Sequence, residues 1–231
     1  MLFSVIAFSF LRLFRRVLEM PGYIKNWPEQ VSGSFCKHLI DRFETDSRVQ
    51  DDPQPDYSTR SFLLISEHPD WSQECKKLDA IVKQNTTRYF TLPKKYRSVV
   101  QPQWSHDGFL MARYLPGDTC VLHVDGQCAA PPQNQLRLAT FLLYLNSIKK
   151  GGETYFPLQD AKLSPEAGKI VMFPPVHTHP HEVLSANEPR YILQTWITDP
   201  SFYIVDHLQY QESFKNKGGG KKRGGSGRKR Y

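Results

Sequence analysis

His123 and Asp125 stand two residues apart, His181 follows 56 residues later, and Arg190 lies nine beyond that. Two imidazoles and one carboxylate are the ligand set that holds Fe(II) on one face and leaves three positions open. On an extended strand, residues i and i+2 point to the same side, so His123 and Asp125 reach one ion without distorting the backbone. The third ligand has to come from elsewhere in the fold, and a distant histidine is expected. Arg190 adds a fixed fork of donors suited to a carboxylate. A metal triad beside a carboxylate anchor points to iron-dependent oxygenation that consumes a 2-oxo acid.

Taken alone, a His-x-Asp pair is common. Here it sits inside longer blocks: Tyr114-Leu-Pro-Gly117 leading to His123-Val-Asp125, Thr140 to Asn146, Gly151-Gly-Glu-Thr-Tyr-Phe-Pro157, Pro180-His-Glu-Val183, Arg190-Tyr-Ile, and Trp196-Ile197. These blocks, in this order over residues 105–198, resemble those of the prolyl 4-hydroxylase-like 2-oxoglutarate/Fe(II) oxygenases, the hypoxia-factor type in particular. The resemblance implies that His123, Asp125 and His181 ligate iron. It implies that Arg190 binds the distal carboxylate of 2-oxoglutarate, with Tyr114 and Thr154 bonding the same co-substrate and Trp196 lining the substrate pocket. It further implies dioxygen as the second co-substrate, L-ascorbate as reductant, succinate and carbon dioxide as products, and a protein or peptide substrate hydroxylated at a prolyl or similar side chain. Two residues depart from the pattern: many collagen-type members have Lys where Arg190 stands, and Cys120 takes a place usually held by Phe or Tyr.

Residues 176–182 contain three histidines. The nine-residue spacing to Arg190 favours His181 as the ligand; His179 would point the same way in an extended segment and is the alternative. Nucleic-acid demethylases of the same chemistry carry two arginines six apart well past the last histidine, and only Arg190 follows His181 before the tail. Two readings from other classes remain: a catalytically silent jelly-roll metal-binding or sensing module, and a cupin-like Zn protein, in which Arg190 has no evident purpose.

The supporting elements divide the chain. Residues 1–20 are apolar and basic, with only eleven residues before the first charge, too few to span a bilayer. They lack a basic leader and a cleavage site, and their apolar stripe suits an interfacial helix touching a membrane, a helix packed on the body, or a dispensable start before Met20. Residues 21–104 read as helical support. Ser32 can cap a helix carrying Phe35, Cys36, Leu39, Ile40 and Phe43 on one face, and Asp70 can start a second carrying Trp71, Cys75, Leu78, Ile81 and Val82. Residues 105–200 change to short β-rich runs, namely Phe109–Tyr114, Cys120–Val124, Leu138–Leu145, Glu153–Phe156, Lys169–Phe173 and Tyr191–Thr198, punctuated by glycines. The expected fold is mainly β (α+β): a double-stranded β-helix, or jelly roll, with N-terminal helices against its larger sheet.

Residues 201–231 form a C-terminal extension. Of the 30 Lys and Arg in the chain, eight fall within 215–231, where there is no acid; the rest of the chain then holds 22 basic against 23 acidic side chains. The net charge of +7 therefore belongs to the tail and not to the body. A Gly-rich basic tail with nothing to bury is expected to be disordered and to contact nucleic acid or another polyanion through salt-sensitive bonds, or to have no dedicated partner. Four cysteines without a CxxC or a regular ladder suit free thiols in a reducing, cytoplasmic setting.

Overall fold

The computed structural model describes residues 23–91, 104–126 and 135–203. The N-terminal segment, Cys128 and the basic tail lie outside them. In chain order the elements are β1 (Lys25–Trp27), α1 (Gly33–Glu44), β2 (Gln50–Asp51), β3 (Ser61–Leu64), two 3-10 turns (Ile65–Glu67 and Pro69–Trp71), α2 (Ser72–Tyr89), β4 (Ser105–His106), β5 (Leu110–Tyr114), β6 (Cys120–His123), β7 (Gln135–Tyr144), β8 (Thr154–Phe156), β9 (Ala161–Leu163), β10 (Ile170–Phe173), β11 (His181–Val183) and β12 (Arg190–Tyr203). Among the described residues the strands form an eight-stranded sheet, β1-β10-β7-β12-β5-β3-β2 with β4 on β12, and a four-stranded sheet, β6-β11-β8-β9. Every strand pairing is antiparallel.

Strand periodicity splits the apolar residues of the large sheet between two cores. Phe141, Leu143, Met111, Ile170, Met172, Leu193 and Ile197 pack on one side against Cys36, Leu39 and Phe43 of α1 and Leu78 and Val82 of α2. Leu142, Tyr144, Leu110, Ala112, Val171, Phe173 and Ile192 point the other way, onto Cys120, Phe156 and Val183 of the small sheet. Two facing sheets with helices behind the larger one make a jelly roll. The helical residues that reach the core are those on the faces expected from their spacing. Among the described residues no helix is long and apolar enough to cross a membrane, and Cys36, Cys75 and Cys120 are free thiols.

Residues 21–104 are more than helical support, because β1, β2 and β3 all join the large sheet. These strands are two to four residues long, too short for period two to show against the background. Ser32 caps α1 as expected, accepting Phe35 N–H at 3.3 Å. Asp70, in contrast, does not cap α2. It lies within the preceding 3-10 turn, where its carboxylate accepts from Arg42 and Arg48 at 2.8 Å. Two guanidiniums attract the carboxylate more strongly than backbone amides do.

Trp71, fully buried, anchors this corner. Its indole N–H donates to Asp46 Oδ2 at 2.9 Å, and the Arg42 guanidinium stacks 4.2 Å from its ring centroid. Hydrogen bonds from Arg48, and after them the Trp71 N–H, hold the Asp46 carboxyl far below the usual carboxylate range despite burial. A depressed folded-state pKa contributes stability above the unfolded value near 3.8 and loses it as pH falls through the folded value. Asp46→Asn is therefore expected to cost about 1–2 kcal/mol at neutral pH, the solvent-facing Arg48 half being partly screened. The difference from the parent should shrink once pH drops well below 3.8, as urea unfolding at pH 7 and in acid would show.

Candidate active site

His123 ends β6 and Asp125 follows two residues later, while His181 opens β11, directly opposite His123 in the antiparallel register. The register slips by one before Val183, which faces Cys120, and this bulge sits at the two histidines. His123 Nε2 lies 3.7 Å and His181 Nε2 3.9 Å from Asp125 Oδ1. One ligand atom from each of the three residues falls within 4.8 Å of the others.

Hydrogen bonds leave the correct atoms open. His123 Nδ1 is 2.7 Å from Val121 O, and His181 Nδ1 is 3.2 Å from His179 O. A carbonyl only accepts, so each Nδ1 carries the proton and each Nε2 faces the cluster. Asp125 Oδ2 accepts from Thr140 Oγ1, which leaves Oδ1 for an ion. Burial works against charge on His123, but hydrogen bonds to Asp125 and Cys120 outweigh it and push the imidazole up to about 10. Burial also works against the Asp125 carboxylate, yet His123 and its other partners hold its pKa below the ordinary value. Burial pushes His181 down. A buried carboxylate between two imidazoles fits Fe(II), whose positive charge would replace the proton on His123.

Across the cavity, Arg190 begins β12 opposite Tyr114 and is only 1% exposed. Its Nη2 donates to Thr154 Oγ1 at 3.0 Å, and the same oxygen accepts from Tyr144 Oη at 2.8 Å. The guanidinium carbon lies 5.0 Å from the Tyr114 ring centroid and 5.3 Å from that of Tyr144. Among the described residues, Nε and Nη1 have no hydrogen-bond partner. Among the described residues, no carboxylate comes within ion-pair distance of Arg190. The other two arginines lining the cavity have one each: Arg60 with Asp52 at 3.1 Å and Arg137 with Asp107 at 3.7 Å. A buried cation without a counter-charge is costly, so this end of the cavity is built for an anion. Gly152, with φ near +73°, keeps the backbone close here, since a Cβ would come within 3.4 Å of Arg190 Cδ and 3.0 Å of Ile148 Cδ1.

The cavity, of about 230 Å³, is lined by the triad, Arg190, Thr154, Tyr114 and Trp196 together. Trp196 lies under the Arg137 guanidinium, 3.8 Å from its ring centroid, and among the described residues its indole N–H has no partner. His179 is not brought to the ligand atoms. Residues 176–179 form a turn closed by His179 N–H to Val176 O at 2.8 Å, so the segment is not extended. The His179 ring bonds Thr178 Oγ1 at 2.8 Å, and its carbonyl takes the His181 proton instead.

Several lining residues escaped the sequence reading. Thr140 has the same parity on β7 as Leu142 and Tyr144, so strand period could have found it. Arg137 reaches the same side through a register shift against β12 between Ile197 and Thr198, which opposite-facing parity hides. Its Nη1 donates to Asp125 O at 2.6 Å. Tyr57 and Arg60 come from the segment before β3 and gave no sequence signal.

Residues 109–198 match the model of the 2OG-Fe(II) oxygenase superfamily. Curated relatives include a probable prolyl 4-hydroxylase 9 of Arabidopsis thaliana, 34% identical over 73 residues (31% of this chain, 25% of that protein), and a prolyl 3-hydroxylase 2 of Rattus norvegicus, 27% identical over 165 residues (67% of this chain, 23% of that protein). The chain thus spans about a quarter of the length of these two relatives. Similar solved structures include a Trichoplax adhaerens prolyl hydroxylase in complex with a hypoxia inducible factor peptide fragment (TM-score 0.63, 17% identity, covering 83% of this chain and 93% of that one). A viral collagen prolyl hydroxylase from Paramecium Bursaria Chlorella virus-1 superposes with a TM-score of 0.56 at 20% identity, covering 79% of this chain and 97% of that one. Over residues 109–198 the jelly roll with its His-Asp-His cluster is thus similar to the 2OG-Fe(II) oxygenase superfamily. Its fold is that of the prolyl hydroxylase structures named above.

Proposed function

We propose that this chain is an Fe(II)- and 2-oxoglutarate-dependent dioxygenase that hydroxylates a C–H bond of a protein or peptide, at a prolyl or similar side chain. The observation that carries the proposal is Arg190, buried in the same cavity as the triad with no carboxylate at ion-pair distance among the described residues. His123 Nε2, Asp125 Oδ1 and His181 Nε2 would hold Fe(II), which with 2-oxoglutarate and dioxygen supplies the oxidising power for hydroxylation and releases succinate and carbon dioxide. The chain itself supplies geometry. Arg190 takes the distal carboxylate of 2-oxoglutarate with its open Nε and Nη1 donors. Thr154 and Tyr144 hold the guanidinium in place, and Tyr114 walls it from the β5 side. Phe156 and Phe173 pack on His181 and keep water from its inner face.

The substrate side rests on the relatives, which are named as prolyl hydroxylases, and on Trp196, whose N–H, unpartnered among the described residues, suits a carbonyl acceptor on a bound peptide. L-Ascorbate is proposed as the reductant, the cytoplasm as the setting, and the basic tail as a contact for nucleic acid or another polyanion. The test is to incubate proline-containing peptides with the protein, Fe(II), 2-oxoglutarate and ascorbate, and to seek the mass gain of one oxygen atom, located by fragmentation. The gain should appear with the parent and vanish in Asp125→Ala. Succinate formed without modification of any prolyl peptide would leave the dioxygenase standing and move the substrate to another class.

A further inference from the structure

Asp52 to Arg60, which join β2 to β3, leave the large sheet and cross to the edge strand β6 of the small one. Thr59 N–H donates to Thr119 O at 3.2 Å, and Thr119 N–H returns a bond to Thr59 Oγ1 at 3.1 Å. Val121 N–H donates to Tyr57 O at 3.0 Å, and Ser58 lies opposite Cys120 in an antiparallel bridge. The base of this strap is tied twice: Asp52 N–H donates to Arg60 O at 2.9 Å, and Arg60 Nε donates to Asp52 Oδ2 at 3.1 Å. Inside it, the Tyr57 and Ser58 N–H groups both donate to Gln54 O at 2.9 Å. The whole strap lies outside the segment that matches the superfamily model.

Two routes run from the strap to one iron ligand. The Tyr57 ring meets His123 edge to face, with centroids 5.0 Å apart and planes at 69°. The Tyr57 carbonyl also fixes Val121, whose own carbonyl accepts the His123 Nδ1 proton at 2.7 Å. The first route sets the rotation of the imidazole and the second its tautomer. The other two ligands are held by the sheets themselves. His181 packs against the Phe156 and Phe173 rings, 5.4 and 4.7 Å away, which also meet each other, and Asp125 is held by Thr140 and Arg137. Apart from Tyr57, the ring packed against His123 among the described residues is that of His181, itself a ligand.

We infer that the strap 52–60 sets His123 for metal binding, with Tyr57 as its positioning residue. The inference rests on the Fe(II) site proposed above. Val121 O and Cys120 Sγ, 2.7 and 3.7 Å from Nδ1, hold one edge of the His123 imidazole and Tyr57 packs against the ring; outer-shell partners of metal-bound histidines typically carry about 10–100-fold in affinity.

Co(II) is a suitable probe, because its visible bands report ligand geometry and binding is read without turnover. Tyr57→Phe keeps the ring and is expected to bind Co(II) with the affinity and spectrum of the parent. Tyr57→Leu keeps apolar bulk but loses the edge-to-face contact; it should weaken Co(II) by about 10–100-fold and shift the bands. Thr59→Ala loosens the strap from an exposed position without touching Tyr57, and should weaken binding by roughly two- to tenfold, the worth of one hydrogen bond. A folded Tyr57→Leu and a Thr59→Ala that both bind like the parent would overturn the inference. If Tyr57→Leu does not fold, Thr59→Ala decides alone. His123→Ala serves as the control: if it binds Co(II) as the parent does, the metal-site assignment itself falls, and the strap's role with it.

Discussion

Asp125→Ala is expected to abolish iron binding and all 2-oxoglutarate consumption while leaving the jelly roll folded. Asp125 supplies the one negative charge of the triad, and its Oδ1 stands within 4 Å of both histidine Nε2 atoms. Without it an Fe(II) ion would meet only two neutral imidazoles. The loss should therefore exceed the about 10–100-fold that outer-shell changes cost. The fold should survive, because Asp125 follows β6 and lies outside both apolar clusters. His123→Ala and His181→Ala should behave alike. His179→Ala should retain metal, since its ring is turned to Thr178 and only its backbone carbonyl serves His181. Equilibrium titration with Fe(II) under anaerobic conditions measures all four. Iron retained in Asp125→Ala, or lost in His179→Ala with His181→Ala intact, would redraw the site.

Arg190→Ala should spare iron and cost 2-oxoglutarate. Removing one partner of a buried charged pair costs about 2–5 kcal/mol, roughly thirtyfold to several thousandfold in affinity. Arg190→Lys should recover part of the binding but not the two-pronged geometry. The same reasoning predicts an unusual stability effect. In the absence of 2-oxoglutarate the parent carries a buried guanidinium with two nitrogens unpartnered among the described residues, so Arg190→Met should not lower the unfolding temperature. Addition of 2-oxoglutarate should raise it in the parent and much less in the variant. A variant that binds 2-oxoglutarate as tightly as the parent would separate Arg190 from the co-substrate.

How much of this was legible in the residues follows from the range of the forces involved. His123 and Asp125 could be paired because strand period two is local, and β7 and β12 stood out as β-rich runs because composition is local too. The faces of α1 and α2 were equally readable from helical spacing. His181 against His179 could not be settled by period, because a turn at 176–179 breaks the extended geometry that the comparison assumed. Asp70 looked like a cap because capping is local, whereas Arg42 and Arg48 reach it from 28 and 22 residues away. The strap was invisible for a further reason. Its bonds to β6 are mostly backbone to backbone across some 60 residues, and such bonds leave no mark on side-chain identity.

One measurement bears most directly on the whole account. The protein is loaded with Fe(II) and 2-oxoglutarate without oxygen, then exposed to air with no other substrate, and succinate is quantified. The account predicts slow succinate formation that depends on iron and is lost in Asp125→Ala and, at low 2-oxoglutarate, in Arg190→Ala. Iron bound at full occupancy with no succinate formed, at any 2-oxoglutarate concentration, would contradict it and leave a metal-binding jelly roll in place of an oxygenase.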